Sequence, residues 1–445
     1  MASTNSNLFR RSATQPLPEV VRAEGVWIES ADGRRYLDGS AGALVASIGH
    51  GVRAVVEAQA RQAGAVAYVH GTHFSVPAQE NLAARLAAMA PAGLDRVYPV
   101  SGGSEANESA IKFARQVHLE RGEPERHLTI GRQTSYHGNT LGALAVSGHA
   151  ARRQPYRPLL RDQPHIPASY CYRCPFGLEP ASCGARCAEE LEVEVKRTGA
   201  QYISAFIAEP VVGAAGGALV PPPEYFAIIR EICDRYGVLF IADEVMTGIG
   251  RTGKNFAVDH WNVVPDVITT GKGVGGGYAP LGAMIVQERH FQTIAQGTGS
   301  FVHGFTYGGH PPSVAAGAAV LAYVQEHDLV ARSATMGERL AERLDPLRDR
   351  PIVGDLRGLG LMRGIELVRD RRTKEPFDRS LRVAERIGEA AFERGLIIYP
   401  GSGNADGING DQILIGPPLV ISEAEVDLLA ERLIEAVDAV MRDLT

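Results

Sequence analysis

Short apolar runs that alternate with helical patterns dominate the sequence from about residue 53 to residue 310. Continuous apolar character, without a polar residue at every second position, is typical of strands that are buried on both faces. Strands that alternate with helices form a mainly parallel sheet with helices packed on both sides. The sequence therefore predicts an α/β fold with strands at residues 96–100, 127–130, 202–207, 238–242, 267–270 and 281–286.

The two ends of the chain have a different pattern. Residues 25–38 predict a hairpin with its turn at Asp32 and Gly33, because Asp-Gly between apolar runs favours a tight turn. The C-terminal part has the mixed pattern of an α+β domain, with predicted strands at residues 360–367, 395–399 and 412–415 and helices at 380–394 and 422–442. We predict an N-terminal segment of a small domain at residues 1–55, a large domain at 56–320 and the rest of the small domain at 321–445.

The net charge of the chain is −6, from 45 basic and 51 acidic residues. This balance argues against nucleic acid or an anionic membrane as the main partner. No apolar run is long enough to span a bilayer, and residues 1–11 lack the apolar stretch of a secretory signal. The expected location is the cytoplasm.

Four of the five cysteines, Cys171, Cys174, Cys183 and Cys187, form a C-x2-C-x8-C-x3-C group. Closely spaced cysteines can bind zinc, although this spacing is not one of the strong zinc patterns. The alternative is a loop with free thiols in a reducing compartment. A structural zinc site stays open, and no catalytic metal is expected.

Lys272 stands in the segment VITTGKGVGGG at residues 267–277, where a strand-like run ends in a lysine set among glycines. The chain has only five lysines against 40 arginines, so lysine is not a routine surface charge here. Asp243 ends the preceding buried run, GVLFIADEV at residues 237–245. An amine and a carboxylate at such strand ends suit pyridoxal 5'-phosphate: the lysine forms a Schiff base and the aspartate keeps the pyridine nitrogen protonated. The alternative is a surface lysine before a glycine turn.

The segment SGGSEANE at residues 101–108 follows a predicted strand and opens a helix. The free N–H groups at the start of a helix attract anions, and Gly103 and Ser104 add an open backbone and a hydroxyl. Thr306, which precedes a pair of glycines, is a candidate for a second phosphate contact. Glycine turns with an ordinary helix cap are the alternative.

Tyr136, His137 and Glu209 follow two further predicted strands. The aromatic ring of Tyr136 can lie flat on a cofactor ring. An acid at Glu209 faces the crevice at the carboxyl end of the sheet, where α/β proteins bind ligands. The alternatives are a core tyrosine beside a loop histidine, and a structural carboxylate bonded to loop amides.

These motifs resemble, in order and spacing, those of the class III aminotransferases, which depend on pyridoxal phosphate. The resemblance extends over nearly the whole chain, from about residue 25. It rests on residues 101–108, 136–138, 209–210, 243–245 and 271–273, on Thr306 with residues 308–309, and on residues 417–419.

The resemblance implies the type I fold of pyridoxal phosphate enzymes, with a mainly parallel seven-stranded sheet in the large, cofactor-binding domain and a smaller α+β domain made from both chain ends. It also implies a homodimer, or a dimer of dimers, with the active sites at the subunit interface. By the same resemblance the catalytic residues are Lys272, Asp243 and Glu209. The cofactor would be held by Gly103, Ser104, Tyr136, His137, Asp243, Val245 and Lys272, and Thr306 would reach the phosphate in the partner subunit.

One position departs from the relatives that use glutamate or ornithine. They carry an arginine three residues before the Pro-Pro pair, where this chain has Leu414. An aliphatic side chain cannot present the fork that arginine offers to a carboxylate, and the loop at residues 401–411 contains no other cation. We therefore expect a primary amine or an ω-amino acid as the donor and a 2-oxo acid, pyruvate, as the acceptor of a ping-pong reaction.

Other functions stay open. Decarboxylation-dependent transamination, aminomutase and racemase chemistry share Lys272 and Asp243, so the motifs do not separate them from transamination. A cofactor-holding protein without turnover is disfavoured, because every expected catalytic residue is present. A zinc-dependent interaction module around the cysteines could coexist with an enzyme.

Overall fold

The computed structural model describes residues 7–12 and 17–444. The predicted N-terminal domain segment, residues 1–55, therefore lies partly outside the described residues. The strands are β1 (Val20–Glu24), β2 (Trp27–Ser30), β3 (Arg35–Asp38), β4 (Leu94–Val100), β5 (Leu128–Arg132), β6 (His165–Ile166), β7 (Ile203–Ala208), β8 (Leu239–Asp243), β9 (Val267–Thr270), β10 (Gly282–Gln287), β11 (Val353–Leu359), β12 (Met362–Leu367), β13 (Leu396–Ile397), β14 (Tyr399–Ser402) and β15 (Asp411–Ile415).

The helices lie mainly between the strands. They are α1 (Ala41–Leu44), α2 (Arg53–Ala65), α3 (Pro77–Met89), α4 (Gly103–Glu120), α5 (Leu141–Val146), α6 (Ala150–Arg153), α7 (Arg186–Thr198), α8 (Tyr225–Tyr236), α9 (Glu288–Gln296), α10 (Pro311–Glu326), α11 (Leu329–Leu344), α12 (Val383–Glu393) and α13 (Glu423–Leu444). Within the part of the chain that the structure describes, none of them combines the length and the apolar character that crossing a membrane requires.

The largest sheet has seven strands in the order β4-β10-β9-β8-β7-β5-β6. The strands from β9 to β6 are parallel, and β10 runs antiparallel to both of its neighbours. Every residue of β7, β8 and β9 is buried, which explains why these strands read as continuous apolar runs. The prediction of a mainly parallel sheet is confirmed, and β6, which no pattern predicted, adds a two-residue strand at its edge.

Two further sheets have four strands each, and the first of them combines both ends of the chain. In the first, the predicted hairpin of β2 and β3 pairs Trp27 with Leu37, and β13 joins it in parallel by pairing Leu396 with the same Leu37. The second sheet has the antiparallel order β11-β12-β15-β14. The run predicted as one strand at residues 395–399 is divided between the two sheets, because β13 and β14 pair with different neighbours. The domain boundaries at residues 55 and 320 stay predictions.

Direct backbone contacts join the second of these sheets to the large sheet. A Cβ atom on Gly337, in α11, would lie 2.2 Å from the carbonyl carbon of Gly360, in the turn between β11 and β12. A Cβ atom on Gly360 would in turn lie 2.4 Å from the carbonyl carbon of Thr252, in the loop after β8. Three backbone segments therefore touch here with no side chain between them.

We expect Gly337→Ala to destabilise the protein, because the added methyl group meets backbone that cannot rotate away. Overpacking of this kind lowers the free energy of unfolding by about 1–3 kcal/mol. The measurement is the midpoint of urea unfolding, followed by circular dichroism.

Gly64→Ala is the matched control. Gly64 is also helical, in α2, and a Cβ atom there meets nothing within 4 Å. This variant should be as stable as the parent or more stable by up to about 1 kcal/mol, since alanine is the better helix former. Equal stability of the two alanine variants would contradict the close contact at Gly360.

Candidate active site

Three polar side chains lie side by side at one edge of the large sheet. Asp243 is the last residue of β8, Glu209 directly follows β7, and Lys272 comes shortly after β9. Because β7, β8 and β9 are neighbouring parallel strands, their carboxyl ends meet at the same edge. The structure therefore brings together the three side chains that were predicted as catalytic.

The carboxylate of Asp243 is buried, with only 3% of the residue exposed, and both of its oxygens accept hydrogen bonds. Its Oδ2 accepts hydrogen bonds from Nδ1 of His137 at 2.7 Å and from Nδ2 of Asn107 at 2.8 Å. Its Oδ1 accepts a hydrogen bond from the backbone N–H of Val245 at 3.0 Å. Nε2 of His137 is buried and has no partner among the described residues, so Asp243 alone orients this ring through its Nδ1–H.

Asn107 is a buried residue of α4 for which the sequence predicted no role. Besides Asp243, its amide group donates to the carbonyl of His137 at 2.7 Å, and its Oδ1 accepts from Oγ1 of Thr269 at 2.6 Å. It thus joins α4, the segment after β5, and the two strands β8 and β9. The one sequence signal for a functional role of Asn107 was its position in the segment 101–108, shortly after Gly102 and Gly103.

Lys272 has a backbone φ of 42°, which is uncommon for a residue other than glycine and which strained functional sites often contain. The residue is half-buried. Burial lowers the pKa of its amine below the usual value, while the charges of Asp243 and Glu209 act in the opposite direction. A lowered pKa makes the neutral amine more available near pH 7, as a proton-accepting base requires.

Glu209 is held by backbone amides and not by a cation. Its Oε1 accepts from the N–H of Tyr136 at 2.9 Å, and its Oε2 accepts from the N–H of Gly213 at 2.8 Å. The guanidinium of Arg132 donates to the backbone carbonyl oxygen of Glu209, and the carboxylate makes no salt bridge with any residue that the structure describes. Burial raises the pKa of Glu209 above its usual value, and the two amide bonds act in the opposite direction.

Glycines bring the start of α4 close to the ends of β8 and β9. A Cβ atom on Gly103 would lie 2.6 Å from Cγ1 of Val245, and one on Gly271 would lie 3.2 Å from the same atom. A Cβ atom on Gly138 would lie 2.5 Å from Oγ of Ser104. The first N–H groups of a helix have no acceptor within it, so this narrow junction places free donors at the start of α4.

Tyr136 and Thr306 differ in their surroundings. Tyr136 is held at the sheet edge by its N–H bond to Glu209, and the guanidinium of Arg152 lies 4.1 Å from the centroid of its ring. Thr306 is exposed in a turn, where its carbonyl accepts a hydrogen bond from the hydroxyl of Tyr68 at 3.1 Å. Of the predicted site residues, Thr306 is therefore the one that faces away from the protein interior.

Leu414 lies on β15, with 1% of the residue exposed. It belongs to an apolar cluster with Leu44 and Met362, against which Met246 packs. A Cβ atom on Gly213 would lie 2.2 Å from the sulfur of Met246, so this cluster adjoins the loop that binds Glu209. The position at which some relatives carry arginine therefore lies inside an apolar cluster next to the loop that binds Glu209.

The cysteine group lies together, in the segment before and at the start of α7. Its four members are free thiols. They line one small cavity of about 20 Å³, and they are Cys171, Cys174, Cys183 and Cys187. Within the described residues, no group of three or more histidine, cysteine or acidic side chains is arranged so that it could hold a metal ion.

The edge of the large sheet suits pyridoxal phosphate. The free N–H groups at the start of α4, beside the hydroxyl of Ser104, suit a phosphate, and a Cβ atom on the preceding Gly102 would meet nothing within 4 Å. The buried carboxylate of Asp243 matches a protonated pyridine nitrogen, and the amine of Lys272 matches an aldehyde. These residues fit the ring, the phosphate and the carbonyl of the cofactor.

Comparison with known proteins agrees with this geometry. The family model of class III aminotransferases matches residues 8–437. The uncharacterized aminotransferase YodT of Bacillus subtilis is 40% identical over 99% of this chain and 99% of its own length. Putrescine–pyruvate aminotransferase of Pseudomonas aeruginosa is 34% identical over 92% of this chain and 88% of its own length.

A solved structure extends the likeness to three dimensions. The (S)-enantioselective ω-transaminase of Thermomicrobium roseum is 39% identical, with a TM-score of 0.89 over 95% of this chain and 93% of that one. This likeness confirms the predicted type I fold. The chain therefore belongs to the class III aminotransferases, and it is a transaminase that uses pyridoxal 5'-phosphate.

Proposed function

We propose that the protein transfers an amino group from a primary amine or an ω-amino acid to a 2-oxo acid, with pyruvate as the acceptor. The observation that carries this proposal is the buried position of Leu414 in an apolar cluster. A buried aliphatic side chain at this position leaves no guanidinium for the carboxylate that the arginine of some relatives binds, whereas an amine without that carboxylate needs none. The likeness to a putrescine–pyruvate aminotransferase and to an ω-transaminase supports the same substrate classes.

The residues around Asp243 would hold the cofactor. Bound pyridoxal phosphate supplies a carbonyl that captures amines and a ring that accepts electrons. Asp243, fixed by His137 and Asn107, would bind the pyridine nitrogen and keep it protonated. Val245 and Tyr136 would hold the two faces of the ring. The phosphate would be bound by Gly103 and Ser104, and by Thr306 of the partner subunit.

Lys272 would be the catalytic base. Its Nζ atom would take the proton from the donor carbon that carries the amino group and return it during the second half-reaction. The lowered pKa of Lys272 supports this role, because a fully protonated amine cannot accept a proton. Glu209 would stay bonded to its two amides and carry negative charge beside the substrate space.

The reaction would follow a ping-pong order at one site. Donor and acceptor would each react with the same Lys272 and leave before the other binds. The role given to Thr306 requires a second subunit, so a homodimer is part of the proposal, and its exposed position supports this.

The two half-reactions can be observed separately. Addition of 1-phenylethylamine alone to the holoenzyme should bleach its yellow absorbance band, since this amine carries no carboxylate. After removal of the amine, pyruvate should restore the band with formation of one alanine per site. Glutamate should bleach the band at least about 10-fold more slowly, because it carries two carboxylates and Leu414 supplies no cation for either of them.

A band that this amine leaves unchanged would contradict the amine donor. Recovery of the band without alanine would contradict transfer to pyruvate and would favour another reaction of the cofactor.

Lys272→Ala should still bind pyridoxal phosphate and should lose about 100- to 10,000-fold in kcat, as expected for removal of a positioned base. Lys272→Arg keeps the charge but cannot lose its proton, so it should be equally inactive. Lys254→Ala, at an exposed lysine, is the matched control and should keep parental activity. The measurement is alanine formation under saturating substrates, and substantial turnover by Lys272→Ala would exclude its role as the base.

Asn107→Leu should weaken cofactor binding by about 10-fold or more, because it leaves buried partners at Asp243, Thr269 and His137 without their hydrogen bonds. The measurement is an absorbance titration of the apoenzyme with pyridoxal phosphate. Asn81→Leu replaces an exposed asparagine on α3 and should leave the affinity unchanged. Equal affinities in the two variants would mean that Asn107 does not support Asp243.

A further inference from the structure

A 2-oxo acid carries a carboxylate, and Leu414 leaves open which residue binds it. Arg132 is already committed, because its guanidinium donates to the carbonyl of Glu209 and to Oγ of Ser169 at 3.2 Å. The loop at residues 401–411 contributes no cation. A carboxylate-binding residue therefore has to come from another wall of the site.

Arg152, in the short helix α6, lies at this place. Its guanidinium carbon is 4.1 Å from the centroid of the Tyr136 ring, and the residue is half-buried. It makes no salt bridge with any residue that the structure describes, and among these residues its guanidinium contacts the Tyr136 ring. A half-buried guanidinium without an anion is poised to receive one.

The charge of Arg152 acts inside the site. It is one of the groups that lower the pKa of Lys272, so the guanidinium lies within electrostatic reach of the catalytic amine. On its other side stands His149, whose pKa burial lowers to about 4 with a further contribution from Arg152. His149 is therefore neutral near pH 7, and Arg152 supplies the positive charge at this wall. Arg153, the next residue, acts on His165 in β6 instead.

The loop opposite α6 does not neutralise this charge. A Cβ atom on Gly407 would lie 2.9 Å from Cβ of Ala150, so the two segments are in contact. The loop contains one acid close to this contact, Asp406, whose carboxylate accepts from Nδ2 of Asn409 at 2.8 Å and from the backbone N–H groups of residues 408 and 409. These donors hold the Asp406 carboxylate within its own loop, and the cation that helps to lower its pKa is Arg173, not Arg152.

We infer that Arg152 binds the carboxylate of the 2-oxo acid acceptor; this inference rests on the function proposed above. The contact with the Tyr136 ring places the guanidinium, and its N–H groups have no acceptor among the described residues, so they can bind the two oxygens of a carboxylate. Tyr136 is itself fixed to Glu209, so the carboxylate is held at a defined place relative to Lys272. Amines without a carboxylate need no such contact.

The test compares Arg152→Met with the parent holoenzyme in separate half-reactions. The second-order rate constant for pyruvate should fall about 10- to 100-fold, as for loss of a charge-assisted hydrogen-bond pair. Loss of the Arg152 charge acts on Lys272 whatever the substrate. Acetaldehyde, which lacks only the carboxylate, and the donor 1-phenylethylamine should therefore change by one common smaller factor, and the loss for pyruvate should exceed it about 10-fold or more. Arg152→Lys should be intermediate, since it keeps the charge without the fork. Arg157→Met, at an exposed arginine nearby, is the matched control.

A second readout does not depend on turnover. Propionate, an unreactive carboxylate, should bind the parent holoenzyme in calorimetry, and Arg152→Met should weaken this binding about 10- to 100-fold. The donor β-alanine, which carries a carboxylate, extends the comparison. If Arg152→Met lowers the rate constant for pyruvate alone, Arg152 binds only the 2-oxo acid. If it lowers the rate constants for both substrates, Arg152 binds the carboxylate of either one.

Unchanged pyruvate and propionate constants in Arg152→Met would overturn the inference. An equal loss for pyruvate, acetaldehyde and the amine would also overturn it, because Arg152 would then act only by holding Tyr136. Failure of the proposed function can be distinguished from failure of this inference. In that case the amine would not bleach the absorbance band of the parent enzyme, while the affinity for propionate would still measure the contribution of Arg152.

Discussion

A negative charge inside a protein is stable only where hydrogen bonds replace the water it has lost, and the site of this enzyme depends on how that requirement is met at Asp243. The donors come from the helix α4, from the segment after β5 and from the end of β8 itself. One carboxylate therefore fixes three segments relative to one another. The glycine junction at Gly103 and the peptide N–H of Tyr136 belong to two of these segments, so the places proposed for the phosphate and the ring depend on the same charge.

Much of this arrangement could be predicted from the sequence, for a local reason. Strands buried on both faces have apolar residues at consecutive positions, so β7, β8 and β9 were recognisable. A polar residue just after such a run stands out, which is why Glu209, Asp243 and Lys272 could be identified as neighbours. The structure agrees with this placement.

Other features could not be predicted, because they depend on contacts between distant parts of the chain. Asn107 matters through Thr269, 162 residues away, and through the carbonyl of His137, 30 residues away. The strand β6 has two residues and exists because β5 is beside it. Arg152 is one of 40 arginines, and only its nearness to the Tyr136 ring distinguishes it. The division of residues 395–399 between two sheets likewise depends on which strands lie nearby.

The left-handed backbone of Lys272 has a consequence for how this protein can change over time. A side chain costs about 1–2 kcal/mol in that conformation, and glycine would remove the cost. The residue that the proposed chemistry cannot lose is thus one that the fold would be more stable without. Selection for stability alone would act against the active site at this position, and only selection for turnover keeps a lysine there.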